Sequence, residues 1–121
     1  MEKALVDTNV LIGFLGGAAA AGKALARYDN AAISVVSWME VMVAAPKGAE
    51  DDTGKFLSRF SLVALGQPVA ERAVGLRPAH RIKLPDAIIG ASAQIEGRLR
   101  VTRNSKDLSL SDPGVRMPCR V

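Results

Sequence analysis

Three carboxylic acids stand at or near the start of a helical pattern. Asp7 follows Ala4-Leu5-Val6 and begins Asp7-Thr8-Asn9. Glu40 closes Ser37-Trp38-Met39-Glu40 after the apolar stretch 31–36, and Asp86 follows Pro85, a residue that favours the first turn of a helix. Their neighbours are apolar: Leu5 and Val6 before Asp7, Trp38, Met39, Val41, Met42 and Val43 around Glu40, and Ala87, Ile88 and Ile89 after Asp86. An ionised carboxylate taken out of water without a partner is costly, and clustering several adds repulsion. Something positive belongs among them. No excess of Lys or Arg adjoins Asp7 or Glu40 in sequence, so the simplest neutralising group is a hard divalent cation with oxygen ligands, Mg²⁺ or Mn²⁺. Such an ion activates water and offsets the charge that develops on a phosphodiester, and a pair about 4 Å apart clamps both the attacking and the leaving oxygen.

Each acid alone also has a plain structural reading. Asp7 suits a turn, Glu40 suits the reciprocal position of a capping box with Ser37, and Asp86 suits the positive end of its helix. The conjunction carries the chemistry. Charge supports it: the 121-residue chain has a formal net charge of +4, and the basic residues gather in its second half. Residues 71–121 hold ten Lys and Arg against five acids, an excess that suits a polyanionic partner. An acidic metal site beside a basic surface points to nuclease chemistry.

The elements that must position these residues follow from the pattern. Strands are expected at 4–6, 31–36, 61–65 and 98–102, with a short fifth at 115–117 after Pro113-Gly114. Helices are expected at 10–15, 18–28, from Ser37 (or a cap at Ser34) to before Pro46, 55–60, 68–78 and 85–96, the last stopped by Gly97. Residues 47–53 read as loop, and Trp38 reads as core. The order β-α-α-β-α-α-β-α-α-β predicts an α/β fold, one domain over 1–121, with a parallel sheet flanked by helices. In such a sheet ligands collect beyond the carboxyl ends of the strands. A fourth polar cluster, Asn104 to Asp107, follows the fourth strand there.

Other signals weigh less. Gly17 to Lys23 matches Gly-x4-Gly-Lys, but Ala24 stands where a phosphate-binding loop needs Ser or Thr, and the four alanines favour helix. His80 is the only histidine and no Gly-x-Ser-x-Gly elbow accompanies it. A single cysteine, Cys119, excludes an internal disulfide and fits a reducing cytoplasm. The longest uncharged stretch, 8–22, is too short to cross a bilayer, and no secretory signal is expected.

The segments Val6-Asp7-Thr8-Asn9-Val10-Leu11-Ile12, Ser37-Trp38-Met39-Glu40, Leu84-Pro85-Asp86-Ala87-Ile88-Ile89 and Val101-Thr102-Arg103-Asn104 with Asp107 resemble the four signatures of PIN-domain ribonucleases, most closely VapC-type toxins. The resemblance implies a three-layer PIN-like fold around a mainly parallel sheet, whose acids bind Mg²⁺, with Mn²⁺ able to substitute, and cleave RNA by metal-assisted hydrolysis. Carried over by position, Asp7 and Asp86 become the principal metal ligands and Glu40 completes the site directly or through water. The fourth position falls on Asn104, acidic in many members, with Asp107 three residues on as a substitute. Thr102 is expected to orient a ligand or water, and Arg103 and Lys106, with Lys83 and Arg81 as weaker candidates, to hold the RNA backbone. The resemblance further implies a homodimer and a small antitoxin protein that blocks the site. Two other classes stay open: a catalytically inactive PIN-like module binding RNA or protein, and a small phosphate-binding regulator dependent on Lys23.

Overall fold

In the computed structural model residues 3–80, 82–103 and 115–116 are described. Five strands, β1 (Ala4–Val6), β2 (Ala32–Ser34), β3 (Ser61–Val63), β4 (Leu99–Val101) and β5 (Val115–Arg116), form one sheet in the order β3-β2-β1-β4-β5. Every pairing is parallel, with Leu5 opposite Ala32 on one side and Arg100 on the other. Parallel neighbours need long crossovers. Helices α1 (Thr8–Leu15) and α2 (Ala19–Ala26) supply the first, α3 (Val35–Ala44) and α4 (Glu50–Leu57) the second, and α5 (Gln67–His80) and α6 (Leu84–Glu96) the third. This is the expected order of elements.

The strand period of two sends alternate residues to opposite layers. Ala4, Val6, Ile33 and Val101 pack with Val10, Leu11, Ala21, Val41 and Leu57 on one face. Leu5, Ala32 and Val63 pack with Ile89 and Ala93 of α6 on the other, beyond which Val69 and Ala73 of α5 meet Ala87 and Ala91 of α6. Strands buried on both faces have no solvent side, which is why β1 reads as an unbroken apolar run. No helix among the described residues is long and apolar enough to cross a membrane.

Several local expectations need correction. Residues 50–53 are helical rather than loop: Glu50, Asp51 and Asp52 fill the first turn of α4, where negative charge faces the positive end of the helix. Ser34, not Ser37, caps α3, its Oγ accepting from the Val36 amide at 3.1 Å. Glu40 is thereby freed from a capping box. Trp38 is 39% exposed, because the buried face of α3 is set by Val36, Ser37 and Val41. The segment resembling a phosphate-binding loop is already helical from Ala19, with Lys23 inside α2, so the open loop that would wrap a phosphate is not formed.

Candidate active site

The crossovers from β1 to β2 to β3 step outward in one direction, and the chain then returns to lay β4 on the other side of β1. The carboxyl ends of β1 and β4 flank the point where connections diverge, the place where an open α/β sheet leaves a crevice. Asp7 is the first residue past β1. Its amide donates to the carbonyl of Val101 at the end of β4, 2.8 Å away, which ties it to the neighbouring strand. Its extended backbone makes it the N-cap of α1, and Oδ1 accepts from the Thr8 amide at 2.8 Å.

The other oxygen of Asp7 is committed elsewhere. Oδ2 accepts from Nη2 of Arg100 at 2.8 Å and from Nε at 3.1 Å, and both side chains are only 5% exposed. Arg100 also reaches α6: Nη1 donates to the backbone carbonyl of Asp86 at 3.3 Å, and Nη2 lies 4.0 Å from Asp86 Oδ1. Asp86 sits in the first turn of α6 with Pro85 beside it and a side chain 28% exposed, so it faces the crevice more openly than Asp7. The two aspartates, 79 positions apart in sequence, thus converge on one guanidinium.

Glu40 joins through a hydroxyl. Thr8 Oγ1 lies 2.8 Å from both Ser37 Oγ and Glu40 Oε1 and donates to the carboxylate. The Thr8 amide holds Asp7 while its side chain holds Glu40, so one residue of α1 links two of the acids. On the β4 side, Asn9 Nδ2 donates to Thr102 Oγ1 at 3.1 Å and Asn9 Oδ1 accepts from the Arg103 amide at 3.0 Å. Thr102 is fully buried, and its hydroxyl orders Asn9 and the exit of β4. The Arg103 guanidinium lies against Gly13 of α1, where any Cβ would collide with Nη1. Lys83 is exposed one residue before α6. Asn104, Lys106 and Asp107, with Arg81, lie outside the described residues.

The donors gathered here are carboxylate and hydroxyl oxygens, suited to Mg²⁺ or Mn²⁺ and not to a soft ion. The shared guanidinium shows that Asp7 and Asp86 can serve one cation together. Among the described residues, however, no three of His, Cys, Asp and Glu are close enough to hold a metal ion. Glu40 accepts from Thr8, and Arg100 spans the aspartates. The sequence reading missed Arg100, counting it only as one more positive charge. Its signal lay in Leu99-Arg100-Val101, a lone charge in a strand apolar on either side, which burial obliges to find a carboxylate.

An all-parallel sheet flanked by helices, with Asp7 and Asp86 both reached by Arg100 at its switch point, defines an α/β domain. The sequence profile of the PIN domain matches residues 4–110, and the chain belongs to the PIN-domain family. Among solved structures it is similar to a chain of a toxin-antitoxin complex from Klebsiella pneumoniae, with 44% identity, a TM-score of 0.93, and coverage of 98% of this chain and 99% of that one. A chain of a DNA-bound VapBC from Salmonella typhimurium shares the fold at 21% identity and a TM-score of 0.79, covering 98% of this chain and 100% of that one. A chain of FitAcB from Neisseria gonorrhoeae does so at 18% identity and a TM-score of 0.75, covering 95% and 97%. No curated protein sequence matches the chain.

Proposed function

We propose that the chain is an endoribonuclease dependent on Mg²⁺ or Mn²⁺, acting as the toxin of a VapC-type toxin-antitoxin module. One observation carries the reading: Asp7 and Asp86, delivered by different crossovers, meet at a single cationic group at the β1/β4 switch point, with Glu40 tied to Asp7 through Thr8. The toxin role draws support from the 44% identical chain of a toxin-antitoxin complex. It brings with it a cognate antitoxin, a homodimer and a place in the cytoplasm.

In this reading Asp7 and Asp86 hold the divalent ion, and Glu40, exposed and steered by the Thr8 hydroxyl, completes the site directly or through water. The bound ion supplies an activated water and offsets charge on the leaving oxygen. Asn9 fixes the start of the segment that carries Asn104 and Asp107, either of which fills the fourth position. Lys83 and Arg103 flank the crevice from two sides and, together with Lys106, hold phosphates, contacts that position a strand without reading its sequence. Five aromatic residues leave little material for base stacking, so backbone charge and loop shape dominate recognition.

Incubating the protein with mixed structured RNAs in Mg²⁺, in Mn²⁺ and in chelator, beside Asp7→Asn and Asp86→Asn variants shown to be folded, tests the reading. Cuts that need the metal and vanish in both variants support it. RNA binding without cuts under every condition overturns it in favour of an inactive module.

A further inference from the structure

Arg100 is an unusual occupant of its position. β4 lies between β1 and β5, and the residue paired with Arg100 on β1 is Leu5, a member of the apolar layer under α6. A side chain at that register belongs to the core. Arg100 instead runs through the layer to the acids, and α6 makes room for it at Gly90: a Cβ there would meet Nη1 at 3.0 Å and Leu76 Cδ1 at 3.8 Å. Gly90 is four residues after Asp86, one helical turn along the same face. The slot, the Asp86 carbonyl at its mouth and the Asp7 carboxylate at its end together form a seat built for a guanidinium.

The arrangement bears on charge. Asp7, Glu40 and Asp86 contribute three negative charges, and Arg100 cancels one of them permanently, since a guanidinium does not deprotonate in proteins. It also takes both accessible directions of Asp7 Oδ2, while Oδ1 is engaged by the Thr8 amide. We propose that Arg100 is a resident cation of the acidic site, a positioning residue that stands in place of a second divalent ion and weakens the hold on the first. The site then takes one divalent ion. This inference rests on the metal-dependent reading above.

Titrating Mn²⁺ alone into the metal-free protein, followed by calorimetry and by the electron paramagnetic resonance signal of free Mn²⁺, separates the two claims. Wild type is expected to bind one ion. Arg100→Met is expected to bind it about tenfold more tightly, because a positive charge next to a divalent ion has been removed. Gly90→Ala, whose Cβ presses on Nη1 without deleting the charge, moves the same way by a smaller factor. A merely structural Arg100 gives the opposite sign, because Asp7 loses its anchor and Mn²⁺ binding weakens. Circular dichroism checks folding, and if Arg100→Met does not fold, Gly90→Ala decides. Two ions in wild type, or binding no tighter in the folded variants, overturns the role of Arg100 and leaves metal dependence standing. No Mn²⁺ binding by any of the proteins overturns both.

Discussion

Replacing Asp7 by Asn should destabilise the metal-free protein, a sign opposite to that expected of an acid crowded among other acids. In a site of uncompensated carboxylates, removing one charge relieves repulsion and raises stability. Here Asp7 and Arg100 are each 5% exposed and joined by two charge-assisted hydrogen bonds, so removing the anion leaves a buried guanidinium without its principal partner. Breaking such a pair costs about 3 to 5 kcal/mol. Two features hold the loss at the lower end. Asn is as good an N-cap as Asp, so the hydrogen bond to the Thr8 amide survives, and Asp86 at 4.0 Å takes up part of the freed charge. We expect a loss of about 3 kcal/mol, or roughly 10 °C in Tm for a chain of this length. Urea unfolding in chelator, read by circular dichroism, measures it for wild type, Asp7→Asn, Arg100→Met and the double variant. The double variant should lose less than the two single losses together, by about 1 to 3 kcal/mol, because the residues act as a pair. An Asp7→Asn midpoint at or above that of wild type, or strict additivity in the double variant, refutes the reasoning.

The same geometry sets three further outcomes. Mn²⁺ at a hundred times its Kd should add about 2.7 kcal/mol of stability by binding only the folded chain, and chelator or Asp86→Asn should abolish the gain, as thermal unfolding will show. Thr8→Val keeps the side-chain shape but removes the hydroxyl that steers Glu40; RNA cleavage should fall about ten- to a hundredfold, as expected for a misplaced group, while RNA binding measured by fluorescence anisotropy persists. Lys83→Ala should weaken RNA binding without changing cleavage positions and should lower the slope of log affinity against log salt by about 0.7, the value for one lost phosphate contact on a single strand.

The order of elements was legible because two periodicities and their punctuation agree along most of the chain. The apolar run at 4–6, Pro85 in the first turn of α6 and the left-handed Gly97 behind it all act locally, and the structure keeps them, whereas the run at 31–36 is strand only over 32–34 and its last two residues begin α3. The acids were legible for a related reason: Asp7 follows β1 and Glu40 lies on the helix after β2, positions that the parallel topology sends to one rim, while Asp86 is marked by the Pro85 that opens its helix. What escaped depends on partners distant in sequence. Whether Ser34 or Ser37 caps α3 turns on where β2 ends, and Trp38 is outward because α3 presents Val36 and Val41 to the sheet. Arg100 was the largest omission: its bond to Asp7 spans 93 residues, and no window of local sequence holds both ends. The charge that balances the acids was sought next to them in the chain, whereas the fold brings it from the adjacent strand.

The late arrival of β4 has a consequence for how the protein is made. Asp7 is synthesised more than ninety residues before the strand that anchors its amide and supplies its cation, and Asp86 is needed as well. A growing polypeptide on the ribosome therefore carries the pieces of the site without the site itself until nearly the whole fold has closed.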